Sequence, residues 1–321
     1  MRTNFYIVIG ILIAILLCIT IQSKLFVYRS LPGVSFIETL DACKIMTDPT
    51  YLSLFNRTDM LARKLENKDL QRIYCDNIIP ISIDDKQSVI WLINILRDKF
   101  TDNFFKYWKF IKINKKIENG LPHTRKDLIV LPESAFKNLN IYKQDNLVEK
   151  SIYHIGGLFI HEKVHILQKR YPKLFEDLYI NYWNFVKVKR ILNSDNLVKN
   201  TRTNPDGVDL KWVYKANNKY IWLLSVYNGE DSLFDVDYVG VYLEPVNINK
   251  SIFKIVGKEP LTNINSFISF FGIDSNYYHP NEISAEIFSN YFLDKLGYSM
   301  RTGIAINKFK DWYSVNGKYL I

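Results

Sequence analysis

His161-Glu162-Lys163-Val164-His165 lies within the run S-I-Y-H-I-G-G-L-F-I-H-E-K-V-H-I-L-Q-K-R-Y-P from Ser151 to Pro172. Apolar residues recur at Ile152, Ile155, Leu158, Phe159, Val164, Ile166 and Leu167, which predicts a largely buried helix rather than an alternating strand. Ser151 reads as its N-cap, Lys169 and Arg170 as a basic last turn, and Pro172 as its stop. On such a helix, positions i and i+4 lie roughly 40° apart around the axis and about 6 Å along it. His161 and His165 can therefore share one zinc ion, and Glu162 falls beside the metal as general base for the water it activates. His154 is on the same face but about 10 Å down the axis, which makes it a core or supporting residue rather than a ligand. Gly156 and Gly157 each cost about 1 kcal/mol against Ala, so something is expected to pack closely on the helix backbone there.

A catalytic zinc needs a third protein ligand and a fourth position open to water. The segment Tyr277-Tyr278-His279-Pro280-Asn281-Glu282-Ile283-Ser284-Ala285-Glu286-Ile287-Phe288 supplies the leading candidate. Pro280 and Asn281 start a helix on which Ile283, Ile287, Asn290 and Tyr291 follow at helical spacing. Glu282 and Glu286, four apart, put two carboxylates on one side of it, a repulsive arrangement that a nearby cation relieves. Glu176 and Asp177 are alternative third ligands, although Leu174 to Tyr179 reads more simply as a solvated helix face.

An HExxH string followed downstream by N-E-x-x-A-E-x-F, from Asn281 to Phe288, resembles the gluzincin metallopeptidases, the thermolysin-like and lethal-factor-like enzymes. The resemblance covers two helices, around 40 residues. It implies that His161, His165 and Glu282 bind one Zn2+ per chain, that Glu162 is the base, and that Glu286 supports a ligating histidine. A carboxylate on the far ring nitrogen fixes the tautomer and raises ligand basicity. The sequence departs from the family pattern in its spacing: 117 residues separate His165 from Glu282, so an insertion is expected between the two helices. Family members also place a Tyr or His near the metal to stabilise the oxyanion. Tyr277, Tyr278 and His279 are near enough in sequence to Glu282 to be candidates, at an offset that does not match the family's.

In such enzymes a peptide substrate pairs with an edge strand above the zinc helix. Asp127 to Pro132 is the expected edge strand. Before it, Gly120-Leu121-Pro122-His123-Thr124 is turn-like; His123 is a candidate substrate contact, with an exposed loop histidine as the simpler reading.

Seventeen residues from Phe5 to Ile21 are nearly all apolar, at the short end of the membrane-spanning range, and no small-x-small cleavage site follows. This predicts a single-pass N-terminal anchor, with a cleaved signal peptide as the alternative. Arg2 on one side and Lys24 and Arg29 on the other leave its orientation open. Of three cysteines, Cys43 and Cys75 are free to pair if they meet an oxidising compartment. The formal charge of +9 is spread through Lys112 to Lys116, Lys187 to Arg190 and Lys308 to Lys310, runs that read as solvated faces. No nucleic-acid motif is present, so the expected partners are a peptide or protein substrate and the membrane.

The organisation follows: an anchor over 1–24, a helical region over 25–120, and a metallopeptidase domain over 121–321. The last holds a β-rich insertion at about 203–258, opened by the turn Thr203-Asn204-Pro205-Asp206-Gly207. The expected fold class is α+β, a mainly helical zincin-like core with a small sheet. The expected function is a membrane-anchored zinc metallopeptidase. The alternative is an inactive binding or structural protein that keeps the fold.

Overall fold

The computed structural model describes residues 31–65, 68–100, 103–229, 232–272, 277–298 and 303–320. Two sheets organise them. The first has five strands: β1 (Val34–Phe36), β2 (Ile78–Ile79), β3 (Trp108–Ile113), β4 (His123–Arg125) and β5 (Leu128–Pro132). Their order is β1-β3-β5-β4, with β2 pairing the far end of β3. On β3 and β5, Phe110, Ile129 and Leu131 enter one apolar cluster, and Ile111, Ile113, Leu128 and Val130 enter another. The sheet is thus buried on both faces, and β5 reads as an unbroken apolar run rather than an alternating one.

Helices cover each face. On one side lie α2 (Ile83–Lys99), α3 (Glu133–Gln144) and α4 (Gly157–Arg170), contributing Leu92, Ile93, Phe136 and Phe159. The α2 helix starts at Ser82, whose side chain and that of Asp85 cap each other's backbone N–H groups. On the other side, α1 (Thr39–Met46) and short helical turns bring Met46, Tyr51 and Tyr74 against the sheet. Cys43 of α1 is disulfide-bonded to Cys75 of the helix Leu70–Asp76, closing this layer.

The second sheet has six strands: β6 (Phe185–Lys187), β7 (Arg190–Leu192), β8 (Trp212–Ala216), β9 (Lys219–Tyr227), β10 (Val236–Asn247) and β11 (Ile252–Pro260). Their order is β6-β8-β9-β10-β11-β7. Ile221 and Leu223 of β9 face the main core, while Trp222 and Leu224 join Val241 and Phe253 on the opposite face. The chain then returns through α5 (Pro280–Asp294), which lies beside α4, and α6 (Ile304–Asn316), whose Phe309 and Trp312 close the core over Phe288.

This architecture corrects the expected fold class. The molecule is not a mainly helical core with a small sheet. The segment read as an insertion, together with Phe185 to Leu192, forms the larger of two sheets, and the region 25–120 read as helical supplies β1, β2 and β3. The stretch Phe104 to Trp108, read as helical, leads into the first sheet: a 3-10 turn, Asn103–Phe105, precedes β3, which begins at Trp108. Burial on both faces removed the alternation that would have marked β3 as a strand.

The anchor and the membrane localisation are also corrected. Among the described residues no helix is long and apolar enough to cross a membrane, and the run from Phe5 to Ile21 lies outside them. Two local readings change as well. Ser151 is not an N-cap but opens a π-helical turn, Ser151–Gly156, that runs directly into α4. Lys112 is not on a solvated face; it is buried and ion-paired with Asp85 at 2.8 Å.

Candidate metal centre

Close approach of two helices creates the site. A Cβ on Gly157 would meet both Leu293 Cδ1 and Ser289 Oγ of α5 at 3.2 Å, and Ser289 Oγ donates to the Gly157 carbonyl at 3.0 Å. The glycine that weakens α4 in isolation is what lets α5 lie against it. One turn further on, His161 Nε2 is 3.6 Å from Glu282 Oε2 and His165 Nε2 is 3.5 Å from Glu282 Oε1. The two Nε2 atoms are 3.1 Å apart. One donor atom from each of His161, His165 and Glu282 lies within 4.8 Å of the other two. Glu286 Oε2 lies 3.5 Å from His161 Nδ1, on the far side of that ring.

The outer partners orient both imidazoles. Gln168 Nε2 donates to the Asn281 carbonyl and to Ser284 Oγ, each at 2.8 Å, which turns Gln168 Oε1 toward His165 Nδ1 at 3.0 Å. With Nδ1–H donated to Gln168 on one ring and to Glu286 on the other, both Nε2 lone pairs face the same point beside a carboxylate. Burial opposes a charge on these rings, and the carboxylates outweigh it. Glu282 and Glu286 hold His161 well above its usual range, while Asp206 and Glu282 hold His165 at about 9. Burial raises Glu282 too, and the two histidines more than reverse this, keeping it well below its usual range. The carboxylates therefore favour positive charge at the point where three ligand atoms converge, and this donor set fits a divalent cation.

Glu162 is 3% exposed and lines the cleft above the cage, with Oε2 unpartnered. Burial and the Asp206 charge push its carboxyl up to about 8. The cleft is about 680 Å³ and is also lined by His161, Glu282, Glu286, Tyr278 and Arg202.

A turn completes the cage. Asn204 Nδ2 donates to Glu282 Oε1 at 2.7 Å and to the Tyr278 hydroxyl at 2.5 Å. Asp206 Oδ2 lies 3.9 Å from His165 Nε2, and Glu162, His165 and Asp206 form a second group of converging ligand-type atoms. Thr203 to Gly207 was legible only as a turn; nothing in its spacing marks it as a neighbour of the HExxH helix. The same turn overturns the expected substrate strand. β5 is interior, between β3 and β4. The outward side of β4 is taken by the turn: Thr124 N–H donates to Asp206 Oδ1 at 2.7 Å, and Arg125 Nη1 donates to the Pro205 carbonyl.

The remaining sequence candidates separate. Tyr278 lines the cleft. Tyr277 is buried in the core. His279 caps α5, accepting from Asn281 N–H at 3.1 Å through Nδ1 and donating from Nε2 to the Asp209 carbonyl at 2.7 Å. His123 is not an exposed loop residue: it is fully buried on β4, with Nδ1 bonded to the Leu121 carbonyl at 2.8 Å. Burial holds both of these histidines down at about 4. His154 is exposed and packs against Tyr142 and Tyr153. Glu176 pairs with Lys187 at 2.6 Å and Asp177 accepts from Asn181, so both are engaged elsewhere.

No protein-family model, curated protein or solved structure matches this chain. Its function is therefore argued from the chemistry of the site.

Proposed function

We propose that the chain is a zinc-dependent metallopeptidase of the gluzincin type, hydrolysing peptide bonds. The reading rests on one observation: His161, His165 and Glu282 converge on a point beside the buried, half-unpartnered carboxylate of Glu162. Two imidazoles and a carboxylate, with a cleft left open for water, are a ligand set suited to catalytic zinc. When bound there, zinc would supply Lewis acidity for a water and for a substrate carbonyl.

The protein's own groups divide the remaining work. With a cation in the cage to ionise it, Glu162 would take the proton of the water through Oε2 and return it to the departing amine. Gln168 and Glu286 hold the imidazole rings in the tautomer that presents Nε2. The Tyr278 phenol keeps its proton, because burial pushes its pKa well up. Its oxygen accepts from Asn204, so its hydrogen is free to be donated to the carbonyl oxygen as negative charge develops there.

The test uses the full chain purified without chelator or added metal. About one zinc per chain is expected, together with cleavage within a mixed peptide pool. Glu162→Gln should retain the zinc and lose the cleavage. Peptide hydrolysis unchanged in that variant, or a folded protein that takes up no zinc, would overturn the reading in favour of a non-catalytic binding protein.

A further inference from the structure

Arg202 has its guanidinium supported by the Tyr278 and Tyr238 hydroxyls rather than by an anion among the described residues. It is 9% exposed, and it lines the cleft that holds the metal centre. Nη1 reaches the Leu233 carbonyl at 3.4 Å, Nε has no partner, and the guanidinium lies 5.6 Å from the centre of the Tyr278 ring. No carboxylate among the described residues pairs with it. The other buried arginines behave differently: Arg63 is held by Asp59 at 2.6 Å and Glu118 at 2.9 Å, and Arg125 lies 3.7 Å from Glu118. Removing a guanidinium from water without an anion is costly, and the cost is relieved when an anionic ligand arrives.

Its position fits such a ligand. Among the described residues lining the cleft, Arg202 is the only lysine or arginine. Of the carboxylates that line it, Glu162 leaves Oε2 unpartnered beside the cage and the others are engaged. Glu282 and Glu286 face the two imidazoles, and Asp206 is held by Thr124 and by Lys169 at 3.8 Å. Arg202 is linked to the cage through Tyr278, whose hydroxyl Asn204 connects to Glu282. A planar fork of N–H donors at that place matches a carboxylate in geometry as well as in charge.

We infer that Arg202 is the specificity-determining residue of the cleft, and that preferred substrates carry a carboxylate near the bond that is cut. An acidic side chain and a free C-terminus offer the same chemistry. The inference rests on the peptidase reading for the word substrate, but it can be tested by binding alone.

The experiment uses the zinc-loaded full chain with Glu162→Gln, so that ligands stay intact. Three N-acetylated pentapeptides are compared by calorimetry: one C-amidated with a central glutamate, its glutamine counterpart, and an all-alanine peptide with a free C-terminus. At least one anionic peptide should bind about ten- to a hundredfold tighter than the glutamine peptide, and which one does so identifies the source of the carboxylate. Adding Arg202→Gln should erase the difference, whereas Arg202→Lys, which keeps charge without the fork, should retain part of it. Equal binding of all three peptides, no binding of any, or a preference that survives Arg202→Gln overturns the inference. Because the preference is first read with Arg202 in place, an unstable variant does not decide the result. Failure of the peptidase reading shows separately, as peptides left uncut by the chain with Glu162 intact.

Discussion

Ser289 Oγ donates to the Gly157 carbonyl at 3.0 Å, and the same oxygen stands 3.2 Å from where a Cβ on Gly157 would be. The distance between α4 and α5 is thus set by the absence of one methyl group. Gly157→Ala should push Ser289 and Leu293 outward, costing about 1–2 kcal/mol despite the better helix propensity of Ala. It should also separate His161 from Glu282 and weaken zinc retention. Thermal unfolding and a chelator competition read both effects; an alanine variant as stable and as zinc-retentive as the parent would show that the contact does not set the spacing.

Asn204 holds Glu282 through one amide nitrogen shared with Tyr278. Asn204→Ala removes that support while leaving all three ligands in place. Zinc affinity should fall about ten- to a hundredfold, the usual effect of removing a residue that orients a ligand. The measurement is competition against a chromogenic chelator, with circular dichroism as the check on folding. Affinity within twofold of the parent would mean that α5 alone orients Glu282.

What the sequence revealed, and what it concealed, divides along physical lines. The pairs of side chains that converge on α4 and α5 were legible because each helix carries them at i and i+4, a spacing fixed by local geometry. Gly156 and Gly157 signalled a close neighbour for the same reason. Asn204, Asp206, Gln168 and Arg202 were not legible, because their partners lie far away in the chain: Asn204 is bonded to Glu282 and Gln168 to Asn281 and Ser284. The first sheet was missed where burial on both faces gave β3 no alternation; in the second, β8 to β11 fall in the segment read as β-rich, whereas β6 and β7 precede it and were missed. His123 was misplaced because Gly120 and Pro122 mark a turn, and no local signal shows that the next residues enter a sheet.

His123 should make the protein sensitive to acid. Burial, with Arg125 beside it, holds the ring neutral down to about 4, against its usual 6.5. Between those values the unfolded chain binds the extra proton and the folded chain does not, so stability falls as pH falls from 6.5 toward 4. The full effect is roughly 3 kcal/mol. His123→Asn can still donate to the Leu121 carbonyl but does not titrate. Urea unfolding of both proteins in chelator should give a stability difference that shifts in the variant's favour across this window; a difference independent of pH would rule out His123 as the group responsible. Glu118 acts lower on the scale. Burial raises its pKa, but Arg63, His123 and Arg125 overcome this and bring it to about 2, so its contribution is present above about 4.5 and is lost as pH falls toward 2.

Cys43–Cys75 ties α1 to the helix Leu70–Asp76 across 32 residues, in the layer that covers the face of the first sheet away from the metal helices. A loop of that length lowers the entropy of the unfolded chain enough to stabilise the fold by about 3–4 kcal/mol. Cys43→Ser with Cys75→Ser should therefore lower the denaturation midpoint substantially. The site should be spared, because α4 and α5 lie in the other cluster and pack on each other, with α4 also against β4 and β5 rather than against α1. Zinc stoichiometry and denaturant midpoint measured on the same samples separate the two outcomes. Loss of zinc in the folded double variant would show that the N-terminal layer supports the site, an influence with a route through Arg63, which donates to the Thr203 carbonyl at 2.8 Å, and Asp59, which accepts from Thr203 N–H at 2.9 Å, both touching the turn that carries Asn204.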